Sequence, residues 1–399
     1  MTSATCTHNV YIEAPFKLHI GYHRKELIPY PPEGYAFVTG GGGEDIFLKA
    51  SKFRFGFAGL ETLNYRLPLI YSKSLADLLY RRPPPSTSLT YSCHHLILRD
   101  EPWVLESQGI TEVVGANLAQ FLSLRRRVAD VLKKPNCKKI MFFTEYARKS
   151  CLRALDCSSF EEKLDVLPRA VHPKRFTRSV SNRVRFLFVG SANVAGLFNY
   201  RGGVEAMEAF SRVARSRENI ELCIRSDVPR WALEKYGGMI KSGKIKIMNR
   251  SVPLSELEAL YSSSDVFLFP SHYESWQIAL EAMSFEIPVV ALNVEGMSEI
   301  VRDGKTGILL DESKLIPQIY HNGLPIPTIA PCFKKAVLAG PYDDLLEQIE
   351  VSMLRLIDNE SLRLRMGAAA RQEVETGTHS LETRNAKLKE VFDFAISGG

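Results

Sequence analysis

From Val184 onward the chain alternates between two hydrophobic periods. The segments VRFLFVG, NIELCI, KIKIM, DVFLFP and IPVVAL are short, nearly unbroken apolar runs, as strands buried on both faces must be. Between them, GGVEAMEAFSRVARS, PRWALEKYGGMIKSG, SELEALYSSS and QIALEAMSF return apolar residues at helical spacing, which gives a helix one dry face. Strand and helix in alternation predict a parallel sheet covered on both sides, a design that takes ligands at the carboxyl ends of its strands. After Asp311 the stretch ESKLIPQIYHNGLPIPTIAPCFKKAVLAG is punctuated by Pro and Gly and reads as a surface excursion. Helices resume at YDDLLEQIEVSMLRLI, ESLRLRMGAAARQEVET and SLETRNAKLKEVFDFAI.

The first half is less regular. LPLIYS, PWVLES and KKIMFF read as strands and NLAQFLSLRRRVADVLKK as a helix, whereas the segment before residue 60 has no clean period. The basic, apolar-poor stretch PRAVHPKRFTRSVSNR, with two prolines, suits a linker. Two α/β domains follow, residues 1–178 and 179–380, with residues 381–399 a helix expected to return to the first domain.

Composition narrows the class without deciding it. A chain of 399 residues, 45% hydrophobic and 24% charged, exceeds one ordinary core. Lys plus Arg outnumber Asp plus Glu by only 51 to 45, too weak a bias to imply nucleic acid. Seven scattered cysteines without a Cys-x-x-Cys pair argue against a disulfide framework and a structural zinc site, so a reducing compartment is expected. No leader-like start and no apolar run of spanning length occurs, and a cytoplasmic location is expected.

The chemistry gathers at PSHYESWQIALE, residues 270–281, where DVFLFP turns into a helix. Unpaired backbone N–H groups at such a helix start hold an anion such as a diphosphate. Glu281, two turns in, suits a pair of vicinal hydroxyls such as a ribose presents, and Glu274, at the helix mouth, faces whatever the diphosphate carries. The plainer alternative is two solvated carboxylates near a helix N-terminus.

The surrounding residues favour the ligand. Pro270-Ser271, Glu274, Glu281-Ala282-Met283, Pro288-Val289-Val290, Gly296, Glu299-Ile300-Val301, Asp303-Gly304 and Gly307 stand in an order that resembles the retaining nucleotide-sugar glycosyltransferases of GT-B architecture, the family 4 (group 1) type. That resemblance implies two Rossmann-like doubly wound domains facing a cleft. It implies a nucleotide-diphosphate sugar as donor substrate, UDP-sugar or GDP-mannose, with no cofactor and no metal. The chain has no Asp-x-Asp cluster for a divalent ion. Carried over by position, Glu281 holds the ribose, Glu274 the sugar, and Arg201 the leaving diphosphate, with Gly190, Ser191, Arg250, Ser271, Ser275, Trp276, Gln277 and Ile278 completing the donor site.

Two departures from the family pattern matter. Six residues separate Glu274 from Glu281, one fewer than the family has, and a deletion within a helix turns what precedes it by about 100°. Glu274 therefore keeps its place only if the chain from Ser271 to Gln277 is loop, with the helix starting near Gln277 or Ile278. The family's first cation, directly after the FVG strand, is Ser191 here, which leaves charge to Arg201 and to Arg225 or Arg250.

In the first half, Gly40 to Gly43 form a glycine loop in which Gly41 and Gly42 are candidates to approach an acceptor or phosphate closely, and a plain loop is the alternative. The family places a histidine of this domain near the donor sugar. His95 is taken for that catalytic role, with His94 and Glu106 on the acceptor side; ordinary buried histidines are the alternative. In residues 117–139, Leu118, Phe121, Leu122, Val128 and Leu132 line one helical face, and Arg126, Arg127, Lys133 and Lys134 lie off it. Such a helix either docks its dry face on the sheet or lies on an anionic membrane surface beside a lipid-linked acceptor.

The expected function is retaining hexosyl transfer to a glycan or lipid-linked acceptor, in polysaccharide or glycolipid assembly at the inner membrane surface. A binding protein that retains the pocket without turnover, and a GT-B epimerase or phosphorylase, are the alternatives.

Overall fold

The computed structural model describes residues 8–13, 23–39, 83–178, 181–191, 196–312, 314–315, 320–326 and 330–397. They divide into two units, Met1–Arg169 with Leu381–Gly399, and Ala170–Ser380. The chain thus begins and ends in the same unit.

The first unit is built on parallel strands β1 (His8–Glu13), β2 (Tyr35–Thr39), β3 (Thr87–Cys93), β4 (Trp103–Ser107), β5 (Cys137–Phe142) and β6 (Leu164–Val166), in the order β2-β1-β3-β4-β5-β6. PWVLES and KKIMFF become β4 and β5, and every residue of β4 is buried. LPLIYS lies outside the described residues. The aperiodic start holds β1 and β2, whose apolar runs are too short to establish a period beside Pro- and Gly-rich flanks. Helices α1 (Leu118–Leu132) and α2 (Glu145–Ala154) follow β4 and β5, capped by Asn117, which accepts from Gln120 N–H at 3.0 Å, and by Thr144.

The second unit repeats the design with β7 (Val184–Val189), β8 (Ile220–Arg225), β9 (Ile245–Met248), β10 (Val266–Phe269), β11 (Val289–Leu292) and β12 (Gly307–Leu310), in the order β12-β11-β10-β7-β8-β9. Its helices are α3 (Leu197–Tyr200), α4 (Gly203–Val213), α5 (Arg230–Lys235), α6 (Gly237–Lys241), α7 (Leu254–Ser262), α8 (Trp276–Met283), α9 (Pro331–Ala339), α10 (Asp343–Asp358) and α11 (Glu360–Glu375). PRWALEKYGGMIKSG breaks into α5 and α6 at Tyr236, where a glycine pair weakens the helix. The excursion after Asp311 contains a small hairpin, β13 (Tyr320–His321) with β14 (Leu324–Pro325), before α9.

The division falls at Arg169/Ala170, so most of the stretch read as a linker lies in the second unit. Its side chains and carbonyls are engaged there. Arg178 donates to Glu286 O at 2.8 Å, and Arg371 donates to Lys174 O at 3.0 Å.

The last helix, α12 (Leu381–Ile396), is part of the first unit. Leu388, Val391, Phe392 and Ala395 share one core with Val10, Leu89, Tyr91 and Met141. Buried Arg384 donates to the carbonyls of Glu26 and Tyr30 at 2.5 and 2.8 Å. No helix among the described residues is long and apolar enough to cross a membrane.

Each sheet has one place where strand order reverses, and a crevice opens there at the carboxyl ends. In the first sheet it lies between β1 and β3, in the second between β7 and β10.

Candidate functional site

At the second sheet's reversal, β7 ends in Gly190, whose N–H donates to Arg225 O at 2.8 Å. A side chain on Gly190 would run into Ser226. Ser191 follows, and α3 is succeeded by its C-cap Arg201 and by Gly202. Gly202 has φ +77°, and a Cβ there would collide with the Pro270 carbonyl. Only glycine permits that approach, and it carries Arg201 to the end of β10. The N–H of His272 donates to Tyr200 O at 2.9 Å, tying the two segments together.

Arg201 donates to Ser275 Oγ at 3.3 Å and lies 5.3 Å from the Tyr273 ring. Its Nε has no hydrogen-bond partner among the described residues. The same holds for Arg225 Nε and for the Tyr261 hydroxyl, which is 2% exposed. Burial pushes the Tyr261 phenol well above its usual range, helped by the negative charge of Glu281 and opposed by Arg225 and Arg201. That tyrosine therefore has one carboxylate and two guanidinium groups within electrostatic reach. Buried polar atoms without partners are costly, and three of them around one crevice suit a polar, anionic occupant.

Helix α8 starts at Trp276, with Ser275 as its N-cap. Glu274 therefore lies in loop, two residues before the helix, and Glu281 lies in the helix. The start is one residue earlier than the shortened spacing suggested, because Trp276 opens the buried face that continues through Ala279, Leu280 and Met283. Gln277, Ile278 and Glu281 are half-buried on the remaining surface. Trp276 itself, 2% exposed, is a core residue. Ser271 is also buried, its Oγ donating to Tyr273 O at 2.9 Å to hold the loop.

Arg250 lies at the sheet's edge. It follows β9, the edge strand, stands 59% exposed and bonds Glu256 at 2.7 Å. Strand order brings Arg225 to the crevice instead, since β8 adjoins β7. The Asp-Gly-x-x-Gly end of the motif closes a turn: Leu309 N–H donates to Asp303 Oδ1 at 2.9 Å, and Gly307 lies so close to the Val289 carbonyl that no side chain fits. Beyond β12, Glu312 is pushed up to about 7 by burial and by the charge of Asp311.

At the first sheet's reversal lie Glu13, ending β1, and His94 and His95, following β3. His95 Nε2 is 3.0 Å from Glu13 Oε1, and Nδ1 is 3.1 Å from the Cys93 carbonyl. Arg99 bonds the other Glu13 oxygen. Burial works to raise the Glu13 carboxyl, but the bonds to His95 and Arg99 hold it below the usual range. Both His95 nitrogens are engaged inside the unit. His94 differs: its Nδ1 accepts from Gln108 N–H at 3.3 Å, which places the ring proton on Nε2. Glu106, 1% exposed, receives the Tyr91 hydroxyl and is an interior group. Gly41 and Gly42 lie outside the described residues.

In α1, Phe121, Val128, Val131 and Leu132 are buried, whereas Leu122, expected on the same face, is 37% exposed. The dry face is taken up within the unit, leaving the basic face outward.

Sequence missed Tyr261, Tyr273 and the pair formed by His272 Nε2 and Glu205 Oε1 at 3.0 Å. The only available signal for Tyr261 was its place before the SSSDVFLFP strand.

Residues 183–320 match the family model described as Glycosyl transferases group 1. D-inositol 3-phosphate glycosyltransferase of Paenarthrobacter aurescens (strain TC1) is 30% identical over 164 residues, 38% of this chain and 40% of that protein. The capsular polysaccharide biosynthesis glycosyltransferase CapM of Staphylococcus aureus is 28% identical over 123 residues, 31% of this chain and 24% of CapM. The matches thus span less than half the length of these curated relatives. The crystal structure of a glycosyltransferase from Rickettsia africae ESF-5 aligns with a TM-score of 0.62 at 14% identity, covering 98% of this chain and 100% of that one, a likeness of fold.

Proposed function

We propose, on the premise that residues 183–320 form a group 1 glycosyltransferase domain within a GT-B fold, that this protein transfers a glycosyl group with retention from a nucleotide-diphosphate sugar to a glycan or lipid-linked acceptor. The observation that carries the reading is the crevice between β7 and β10, where Arg201, Arg225 and Tyr261 present polar atoms without partners among the described residues, beside Glu281.

In this reading Glu281 accepts hydrogen bonds from the ribose hydroxyls. Arg201, Arg225 and the opening N–H groups of α8 take the diphosphate. When the bond between the anomeric carbon and the phosphate oxygen breaks, its electron pair goes to the diphosphate, where the guanidinium groups meet the growing charge. The acceptor hydroxyl attacks the same face and passes its proton to the departing oxygen. Glu274, freed from helix geometry by the loop, contacts the sugar. The cationic side chains supply the charge that a divalent ion supplies elsewhere, so the reaction is read as metal-independent. Contact with a membrane-borne acceptor, through residues 117–139, would be electrostatic only, through the basic face of α1.

Nucleotide titrations with acceptor-dependent release of nucleoside diphosphate test the assignment. Glu281→Ala should weaken nucleotide binding about 10–100-fold, as the loss of charged hydrogen bonds does. Glu274→Gln should keep nucleotide affinity and lose most transfer. Transfer at the wild-type rate in Glu274→Gln would leave a donor fold without this mechanism, and undiminished nucleotide affinity in Glu281→Ala would remove that residue from the site.

A further inference from the structure

Behind the donor loop the second unit holds a cavity of about 360 Å3, a volume typical of small-molecule sites. Asn199 and Glu205 line it from α3 and α4, Trp231 and Lys235 from α5, Leu338 from α9, and Gly340 from the turn beyond. Glu205 is 2% exposed. Its Oε1 accepts from His272 Nε2, and its Oε2 has no partner among the described residues. A buried carboxylate oxygen in that state gains from any donor that reaches it.

The wall beside that carboxylate lacks a side chain. A Cβ on Gly340 would stand in ordinary contact with Glu205 Oε1, at 3.4 Å, so glycine leaves that much more room beside the carboxylate. Trp231 is 45% exposed, whereas Trp103 and Trp276 are core residues. An indole face left at the mouth of a cavity offers a flat apolar platform. Lys235 bonds Glu208 at 2.7 Å and retains further donors, and the Asn199 amide both donates and accepts.

These groups select one ligand chemistry. The carboxylate on the floor opposes an anion, and the Lys235 ammonium at the wall opposes a cation. A neutral ring with C–H faces for the indole and hydroxyl edges for Glu205 and Asn199 fits both. We infer that this cavity is a saccharide-binding subsite, separate from the crevice between β7 and β10. It does not rest on the transferase reading, because binding at Trp231 requires no turnover.

Saturation-transfer NMR on the full chain tests this, with methyl glycosides of glucose, mannose and galactose and with N-acetylglucosamine as probes at millimolar concentration, a range suited to weak binding. At least one probe should receive saturation from the wild type. Trp231→Ala, a half-exposed position that leaves folding intact, should weaken that binding about tenfold or more, as loss of an aromatic anchor does. Glu281→Ala should leave it unchanged. The assignment is overturned if no probe binds, if Trp231→Ala binds like the wild type, or if binding disappears in Glu281→Ala alone and so belongs to the other crevice. It is also overturned if Trp231→Ala changes only the sedimentation behaviour, which would make the indole a protein contact.

Discussion

At the reversal point of the first sheet charge meets charge: Glu13 is held by His95 and Arg99, and His95 by the Cys93 carbonyl. At the equivalent point of the second sheet, Arg201, Arg225 and Tyr261 each keep a buried polar atom without a partner among the described residues. Topology alone makes both places crevices. What separates them is the state of the charged groups: in the first Glu13, His95 and Arg99 bond one another, while in the second Arg201 and Arg225 each keep an Nε–H without a partner among the described residues. A buried ion network that closes on itself contributes order, and one left incomplete is a binding site in waiting.

The largest effect should come from opening the closed cluster. Glu13→Ala strands His95 and Arg99 and should cost about 3–5 kcal/mol in urea unfolding, with nucleotide affinity unchanged. Because the Glu13 carboxyl is held below its ordinary 4.5, its contribution is present above that pH and is lost as pH falls through the lowered value. Unchanged stability in Glu13→Ala would erase the contrast between the two crevices. Arg201→Ala acts on the open one: acceptor-dependent turnover should drop about 10²–10³-fold, and Arg201→Lys should recover part of it. Normal turnover in Arg201→Ala would move leaving-group stabilisation to Arg225 and α8.

The smallest effect concerns Glu312. Its carboxyl, raised from 4.5 to about 7, binds protons more tightly folded than unfolded, so the residue weakens the fold progressively as pH rises from about 4.5 to about 7. Glu312→Gln should raise the melting temperature at pH 8 by about 2–4 °C and change nothing at pH 4. A gain equal at both pH values would point to packing instead of charge.

Glu274 in loop and Glu281 in helix were legible because strand and helix periods are local, and the turn between them is bounded by both. The same period marks the burial of Trp276, since positions 276, 279, 280 and 283 form one buried stripe. Arg225 and Arg250 could not be ranked from sequence. Each follows an apolar run, and only strand order, which periodicity does not encode, places β8 beside β7 and β9 at the edge. The surroundings of His95 were illegible for a related reason: its partner Glu13 lies 82 positions away, across a pairing of β1 with β3 that no local pattern announces.

The return of α12 to the first unit has a consequence in time. Phe392, Leu388 and Val391 fill the core beneath β1 and β3, yet a ribosome delivers them after the whole of Ala170–Ser380 has been made. Throughout that interval the sheet begun first exposes the apolar face that α12 will cover, while the second unit has every residue it needs to fold. Nascent chains therefore pass through a stage with one finished half and one sticky half, and the portion translated earliest is the last to be closed.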